Sequence, residues 1–377
     1  MTETVTALRL LGDEMIEPTR SGGELTQNLA MEQVSIGAPG PGEVLVEPLY
    51  AGVCGSDNSA SLGKANFSWV QRPRTLGHEF SARIVAFGPG AEGYAGLQVG
   101  DHVCALAMRG CRDPRCRGCK RGRWNYCRRK QIFGFHRDGG LATRTIIEVD
   151  RCLPLLPGIT PLQGALIEPL SVVAQGLLRK CGIQPGMDVV VSGCGIMGLM
   201  AAELARAAGA RVAVTGVERD REVRLKLAAD RGFLPITVSQ EAPLHAQLAK
   251  GLDALDGTRF GDDFDDGLCD VLIECSGAPP SLGTAGLAVQ PEGTICVIAT
   301  YPCEVSFGAT AFTRSGQSMQ GVMGSSREDF DNAQILLQRG TFPVEAYTQV
   351  YPFESALDAM ADSICARTPK AVMAINP

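Results

Sequence analysis

The hydrophobic pattern of this chain has two textures. Up to about residue 170, short apolar runs recur between glycines and prolines, at residues 42–48, 83–90 and 100–104. Runs of this length bounded by turn formers predict strands in an irregular β-rich domain. From residue 186 the pattern changes. A β-branched run at 189–191 is followed by glycines, a helical run at 196–208 and a second apolar run at 211–215, which predicts a βαβ unit. Strands at 270–275 and 294–299 would extend a parallel sheet. Residues 244–264 predict a helix running into an acidic, glycine-containing connection. Residues 326–337 predict a capped helix, with a serine start, early acids and helical apolar spacing.

Length fits two domains, since 377 residues exceed one ordinary core and 45% hydrophobic content can fill two. The net charge is -6, with acids dispersed through the chain and no sustained basic block. Nucleic acid and anionic membrane surfaces are therefore not expected partners, and a small-molecule substrate is. The first residues lack the basic start and apolar run of a signal peptide, and no stretch approaches the roughly 20 apolar residues of a membrane span. Cytoplasmic location is expected. The fourteen cysteines then point to metal binding where they cluster, and to core filling at Cys181, Cys275 and Cys296.

Candidate chemistry gathers around a few residues. Cys54, His78 and Glu79 offer a thiolate, an imidazole and a carboxylate, a set that holds zinc while leaving a position open for substrate. Taken singly, Cys54 also reads as a structural cysteine and His78 as a core histidine. Gly193, Gly195, Ile196, Met197 and Gly198 sit between an apolar run and a helical one, the context of a dinucleotide fingerprint. At the end of the second strand, Gly216 stands where an NAD enzyme places a ribose-binding acid, and Arg219 and Arg221 follow. A missing acid beside guanidinium groups favours a 2′-phosphate, so NADP is expected over NAD, with Glu218 as the alternative ribose ligand. Cys111, Cys116, Cys119 and Cys127 supply four thiolates within seventeen residues, a closed structural zinc site.

As an ordered set, residues 51–57 around Cys54, Gly77-His78-Glu79, residues 100–103, the cysteine cluster, Glu168-Pro169-Leu170, the glycine fingerprint and the segment around Lys370 resemble the zinc-containing medium-chain alcohol and polyol dehydrogenases. The resemblance implies an α/β fold, in which a groES-like β-rich catalytic domain (residues 1–171, completed by 323–377) carries an inserted Rossmann domain with a doubly wound parallel sheet (residues 172–322). It implies two zinc ions per chain. Cys54, His78, Glu79 or a water, and Glu168 would hold the catalytic ion, with the glutamate of Glu-Pro marking the sorbitol, threonine and sugar dehydrogenase branch. Asp57 matches the carboxylate that hydrogen-bonds the ligating histidine, and Ser56 the hydroxyl that receives the substrate proton. A histidine frequent in the family is replaced by Ser59, which leaves the outer end of that path open. The first cysteine interval is two residues longer than the family pattern, within residues 112–115, so Asp113 competes with Cys111 for the structural zinc.

These readings lead to a zinc-dependent oxidoreductase passing hydride between NAD(P) and a secondary alcohol of a polyol, sugar, cyclitol or amino-alcohol. The alternatives are a reductase of a simple aldehyde or ketone in a biosynthetic pathway, and a noncatalytic relative, against which intact Cys54, His78 and Glu168 speak. Assembly as a homodimer or homotetramer is expected.

Overall fold

A computed structural model describes residues 2–17, 23–239, 242–249 and 268–377, and the chain falls into two compact units, Met1–Ser171 with Gly324–Pro377, and Val172–Met323. The first unit is built on a mainly antiparallel sheet. Strand Glu43–Gly52 lies inside it, paired with Glu79–Phe87, with Thr145–Glu148 and with Lys370–Ala374. Beyond these lie His102–Ala105 and Cys152–Pro154 on one side and Thr348–Pro352 on the other. Glu43–Gly52 is buried along most of its length, on both faces, which is why it reads as a nearly continuous apolar run. Pro48 lacks an N–H to give the ladder, and the register with Glu79–Phe87 shifts beside it. A smaller sheet pairs Glu3–Leu10 with Leu29–Ile36 and with Arg74–Thr75. Leu8, Leu10, Leu29, Phe80, Ile84 and Met373 belong to one core shared by both sheets.

The second unit is a six-stranded, wholly parallel sheet. Its order is Leu234–Thr237, Arg211–Gly216, Asp188–Ser192, Cys269–Glu274, Val289–Val297 and Ser318–Gly321. Counted along the chain this is 3-2-1-4-5-6, so the winding direction reverses between Asp188–Ser192 and Cys269–Glu274. A crevice is expected beyond the carboxyl ends of those two strands. Val190, Ala213, Leu272 and Ile295 share its core.

The expected strands at 189–191, 211–215 and 270–275 and the helix Ile196–Ala207 are present. The strand expected at 294–299 begins earlier, as Val289–Val297, and is interrupted where Glu292 adopts φ +62. Helix Arg327–Gln338 opens on a capping box in which the Ser326 N–H and hydroxyl both donate to Asp329 Oδ2, at 2.8 and 2.7 Å. Of the helix expected over 244–264, residues 244–249 are helical and the acidic connection lies outside the described residues. Among the described residues, no helix is long and apolar enough to cross a membrane.

Candidate active site

Cys54 is the N-cap of helix Gly55–Ser61, and its N–H donates to Asp57 Oδ2 at 3.0 Å. The other oxygen of the same carboxylate stands 3.7 Å from His78 Nδ1. One buried aspartate thus closes the helix start that carries the thiol and faces the imidazole ring, which fixes the two donors relative to each other. His78 follows Gly77, whose φ of +96 only glycine adopts without strain; a Cβ there would meet the Leu141 N at 2.9 Å. Leu141 and Gly140 hydrogen-bond back to Leu76 and Gly77, so the turn presenting His78 is clamped on both sides.

Donor atoms of Cys54, His78 and Glu79 lie within 4.8 Å of one another. Glu168, near the start of helix Ile167–Gly176, is buried and within electrostatic reach of His78, Glu79 and Asp57, but outside that spacing. Burial pushes its carboxyl up to about 7, against the pull of His78 and with the further push of Glu79. At His78 burial favours the neutral ring, yet Asp57, Cys54 and Glu168 together outweigh it and hold the imidazole well above its usual value. Three buried carboxylates and a thiol thus meet one imidazole and one ammonium. Such an excess of anionic donors is costly without a cation. His78 Nδ1 and Asp57 Oδ1 have no hydrogen-bond partner among the described residues. A divalent ion with a taste for sulfur, nitrogen and oxygen together answers this imbalance, and zinc fits the donor set.

The ammonium is Lys370, a site residue that the sequence reading named only as part of a matching segment. Its Nζ is buried, donates to Val53 O at 2.8 Å and forms an ion pair with Glu79 Oε2. A Cβ at Gly52 would lie 2.5 Å from that carboxylate and 2.9 Å from Lys370 Cε, so the glycine makes room for the pair. The sequence reading also missed an aromatic wall. Phe135 packs on His78 with ring centroids 5.3 Å apart, and Trp69 meets Phe135 at 5.9 Å and His136 at 4.7 Å. Ser56 is half-buried in the first turn of the Cys54 helix, and Ser59, one turn on along the same face, is half-buried too.

In the second unit the fingerprint glycines divide their tasks. Gly193 takes φ +99; a Cβ on Gly195 would stand in open space; a Cβ on Gly198 would lie 1.8 Å from Gly193 O. These are a tight turn, room for a close-approaching pyrophosphate, and a helix packed hard on its loop. Ile196 and Met197 are the first two residues of the helix behind that loop. A cleft opens at the switch point, bordered by Gly193, Gly195, Gly216, Arg219 and Arg224. Arg221 does not border it and pairs instead with Glu218 at 3.4 Å. Arg224, absent from the sequence reading, does, and it pairs with Asp220 at 3.3 Å. A Cβ at Gly216 would come within 2.5 Å of Cys194 Sγ, so no acid can stand there without displacing that thiol. Opposite, buried Glu274 accepts from the Ser276 N–H and hydroxyl, both at 2.6 Å, and from the Gly277 N–H, which fixes the loop lining the far side.

The four thiols of Cys111, Cys116, Cys119 and Cys127 converge within 4.8 Å. The longer first interval is absorbed by Arg112, in a left-handed conformation at φ +58. Asp113 is drawn away: Arg115 and Arg129 occupy both of its oxygens and hold its pKa down to about 2. Cys111, not Asp113, joins the other three.

Two family models match the chain: the alcohol dehydrogenase GroES-like domain over residues 40–157 and the zinc-binding dehydrogenase over residues 197–339. The L-galactonate-5-dehydrogenase of Escherichia coli is 31% identical over 330 residues, covering 87% of this chain and 89% of that one. The sorbitol dehydrogenase of Halalkalibacterium halodurans is 30% identical over 313 residues, covering 83% and 85%. Among solved structures, a Sinorhizobium meliloti protein described as a zinc-binding dehydrogenase, bound to NADP, superposes with a TM-score of 0.81 at 24% identity over 99% of both chains. With matches of this extent on either side of the same glycine loop, the chain belongs to the polyol branch of the zinc-containing medium-chain dehydrogenases, and it is an oxidoreductase using zinc, a nicotinamide cofactor and a small-molecule substrate.

Proposed function

We propose that the enzyme interconverts a secondary alcohol in a polyol, sugar, cyclitol or amino-alcohol with the matching ketone, hydride passing to or from the nicotinamide. The observation that carries this reading is Glu168, a buried carboxylate beside His78 and Glu79. Cys54, His78 and Glu168 would hold the catalytic zinc, with Glu79 as the exchangeable fourth donor, held back by Lys370. When bound, the ion supplies Lewis acidity that makes the substrate hydroxyl easier to deprotonate. Asp57 keeps the His78 ring turned. Ser56 takes the hydroxyl proton and passes it outward past Ser59, while Phe135 covers the face of His78 against water.

A carboxylate is a harder and more mobile ligand than a thiolate, and it accepts hydrogen bonds from hydroxyls next to the reacting carbon. A vicinal diol should therefore outperform a matched simple alcohol by about tenfold or more in kcat/KM, about 1.4 kcal/mol in the transition state. Glu168→Ala should erase most of that preference and loosen the metal. Unchanged zinc content and an unchanged diol preference in the variant would show that Glu168 only opens its helix. The aromatic wall favours the second reading, reduction of a simple aldehyde or ketone, and the same substrate panel decides between them.

The structural zinc would sit in the four-cysteine lobe, giving two ions per chain. NADP is the proposed cofactor, supported by Gly216, Arg219 and the Arg224 guanidinium at the cleft. Because Gly216 has no room for an acid, Arg219→Ala is the cleaner test. It should raise the KM for NADP about tenfold and leave that for NAD within twofold, since one charge-assisted contact to a phosphate is worth roughly 1.5–3 kcal/mol. Equal effects on both cofactors would remove Arg219 from phosphate recognition. The fourteen cysteines, all free, suit a reducing compartment such as the cytoplasm, and a homodimer or homotetramer is proposed.

A further inference from the structure

Cys181, Cys275 and Cys296, the cysteines expected to fill core, all lie in the second unit, but only Cys296 is fully buried; the other two are half-buried. Helix Ile167–Gly176 runs on into the π turn Leu177–Cys181 and stops at Gly182, which takes φ +61. Lys180 Nζ donates to Gly321 O at the end of strand Ser318–Gly321, and Cys296 pairs with Gln320 of that strand. The helix end is therefore tied over the strands that hold Cys296. A Cβ at Gly176 would stand 3.2 Å from Cys296 Sγ, so the sulfur sits beneath the helix in the space the glycine leaves. Regular helical spacing would leave residue 181 about 140° around the axis from residue 176. The π turn, closed by i→i+5 bonds, brings it back toward the same face. There the Cys181 thiol comes within hydrogen-bonding reach of Cys296, and this contact, together with burial, holds the Cys296 thiol protonated, far above its ordinary value. Cys275, just past the end of the adjoining strand, acts on Cys296 only at longer range.

We propose that Cys181 and Cys296 join in a reversible disulfide, which makes the pair a modification site for low-molecular-weight disulfides of the glutathione type. Cys181 is partly open to solvent and meets the reagent first; Cys296, completely buried, is oxidised through it. The Cys181 sulfur attacks the small disulfide and expels one thiolate, which takes up the proton that Cys181 gives. The Cys296 sulfur then attacks the Cys181 sulfur and expels the second, which takes the Cys296 proton. Two protein thiols thus lose two electrons and two protons, and one small disulfide becomes two thiols. The last approach from thiol contact to bond falls to the helix end, where Gly182 lets the chain turn. The inference depends neither on which alcohol the enzyme oxidises nor on which nicotinamide it uses.

Oxidised glutathione added to the zinc-loaded protein tests it, at a concentration where the exposed Cys303 carries glutathione and so reports that the reagent is active. The remaining thiols are blocked with iodoacetamide, and tandem mass spectrometry of the non-reduced peptides places every bond. A Cys181–Cys296 bond is expected in most chains, with zinc content unchanged, and dithiothreitol should remove it. In Cys181→Ser, oxidation at Cys296 should fall about tenfold or more, because the buried thiol loses its partner and its access, while in Cys275→Ser the bond should form within about twofold of wild type. Should either variant fail to fold, the bond found in the wild type decides alone. Cys181 carrying glutathione while Cys296 stays free, a Cys275–Cys296 bond in place of the expected one, or both thiols reduced while Cys303 is modified would overturn the proposal. So would a bond that appears only after zinc is lost, or oxidation of Cys296 that persists in Cys181→Ser.

Discussion

Cys54→Ser is expected to yield a folded protein that holds one zinc ion per chain instead of the two proposed for the wild type, with kcat/KM lowered by about 10⁴-fold, a loss of roughly 5.5 kcal/mol of transition-state stabilisation. Cys54 is half-buried at the N-cap of a short helix, and its N–H donates to the Asp57 carboxylate that closes the helix start. Serine preserves the bond and almost the volume. What it cannot supply is an anionic sulfur for zinc. The surrounding carboxylates then face His78 and Lys370 alone. Elemental analysis, a thermal melt and steady-state kinetics on the same preparation read the three parts. Two zinc ions with near wild-type turnover would take Cys54 out of the metal site; a collapsed melt would make it a structural cysteine.

For Cys119→Ser the pattern should invert. The lobe has hardly any buried side chain, so its order depends on the four thiols drawn to one point. A Cβ at Gly110 would come within 2.5 Å of Cys119 Sγ, so the backbone is already fitted closely around that sulfur. Structural zinc in small folds contributes on the order of 10 kcal/mol of apparent binding energy, part of which is folding energy here. Removing one ligand should cost the structural ion and lower Tm by about 5–10 °C, an effect of a few kcal/mol at this chain length. The kcat/KM of the protein that remains folded should change less than tenfold. A Tm within 1 °C of wild type with both zinc ions present would show that the lobe holds itself together without that thiolate.

Local chemistry made part of this molecule legible in its sequence. The parallel sheet is marked by β-branched runs separated by a glycine loop and a helix of the right length, and all three signals fall within thirty residues of one another. The four cysteines of the lobe are likewise neighbours in the chain. What the sequence did not display is whatever depends on distant pairing. Glu79 and Lys370 are 291 residues apart, so nothing near either tells that both will be buried against each other. The same holds for the Phe135 ring against His78, whereas Arg224 reaches the cleft from a wide π-helical turn, Arg221–Leu225, after the second strand, a local departure that regular helical spacing does not foretell. Arg221 illustrates the opposite error: adjacent in sequence to the expected phosphate site, it is turned outward to Glu218.

Strand Lys370–Ala374 has a consequence for how the protein is made. It lies between Glu43–Gly52 and Thr348–Pro352 and brings the ammonium that Glu79 needs. A ribosome adds about 5–20 residues per second, so residues 1–171 wait on the order of 10–40 s before their last strand is synthesised. Throughout that interval the Tyr50–Gly52 end of Glu43–Gly52 has a bare edge and Glu79 lacks its counter-charge. The inserted unit, whose sheet is complete by Gly321, can fold during the wait. Nascent chains stalled before residue 370 should therefore be the species that chaperones hold and proteases cut, and zinc delivered to them would find a site only half built.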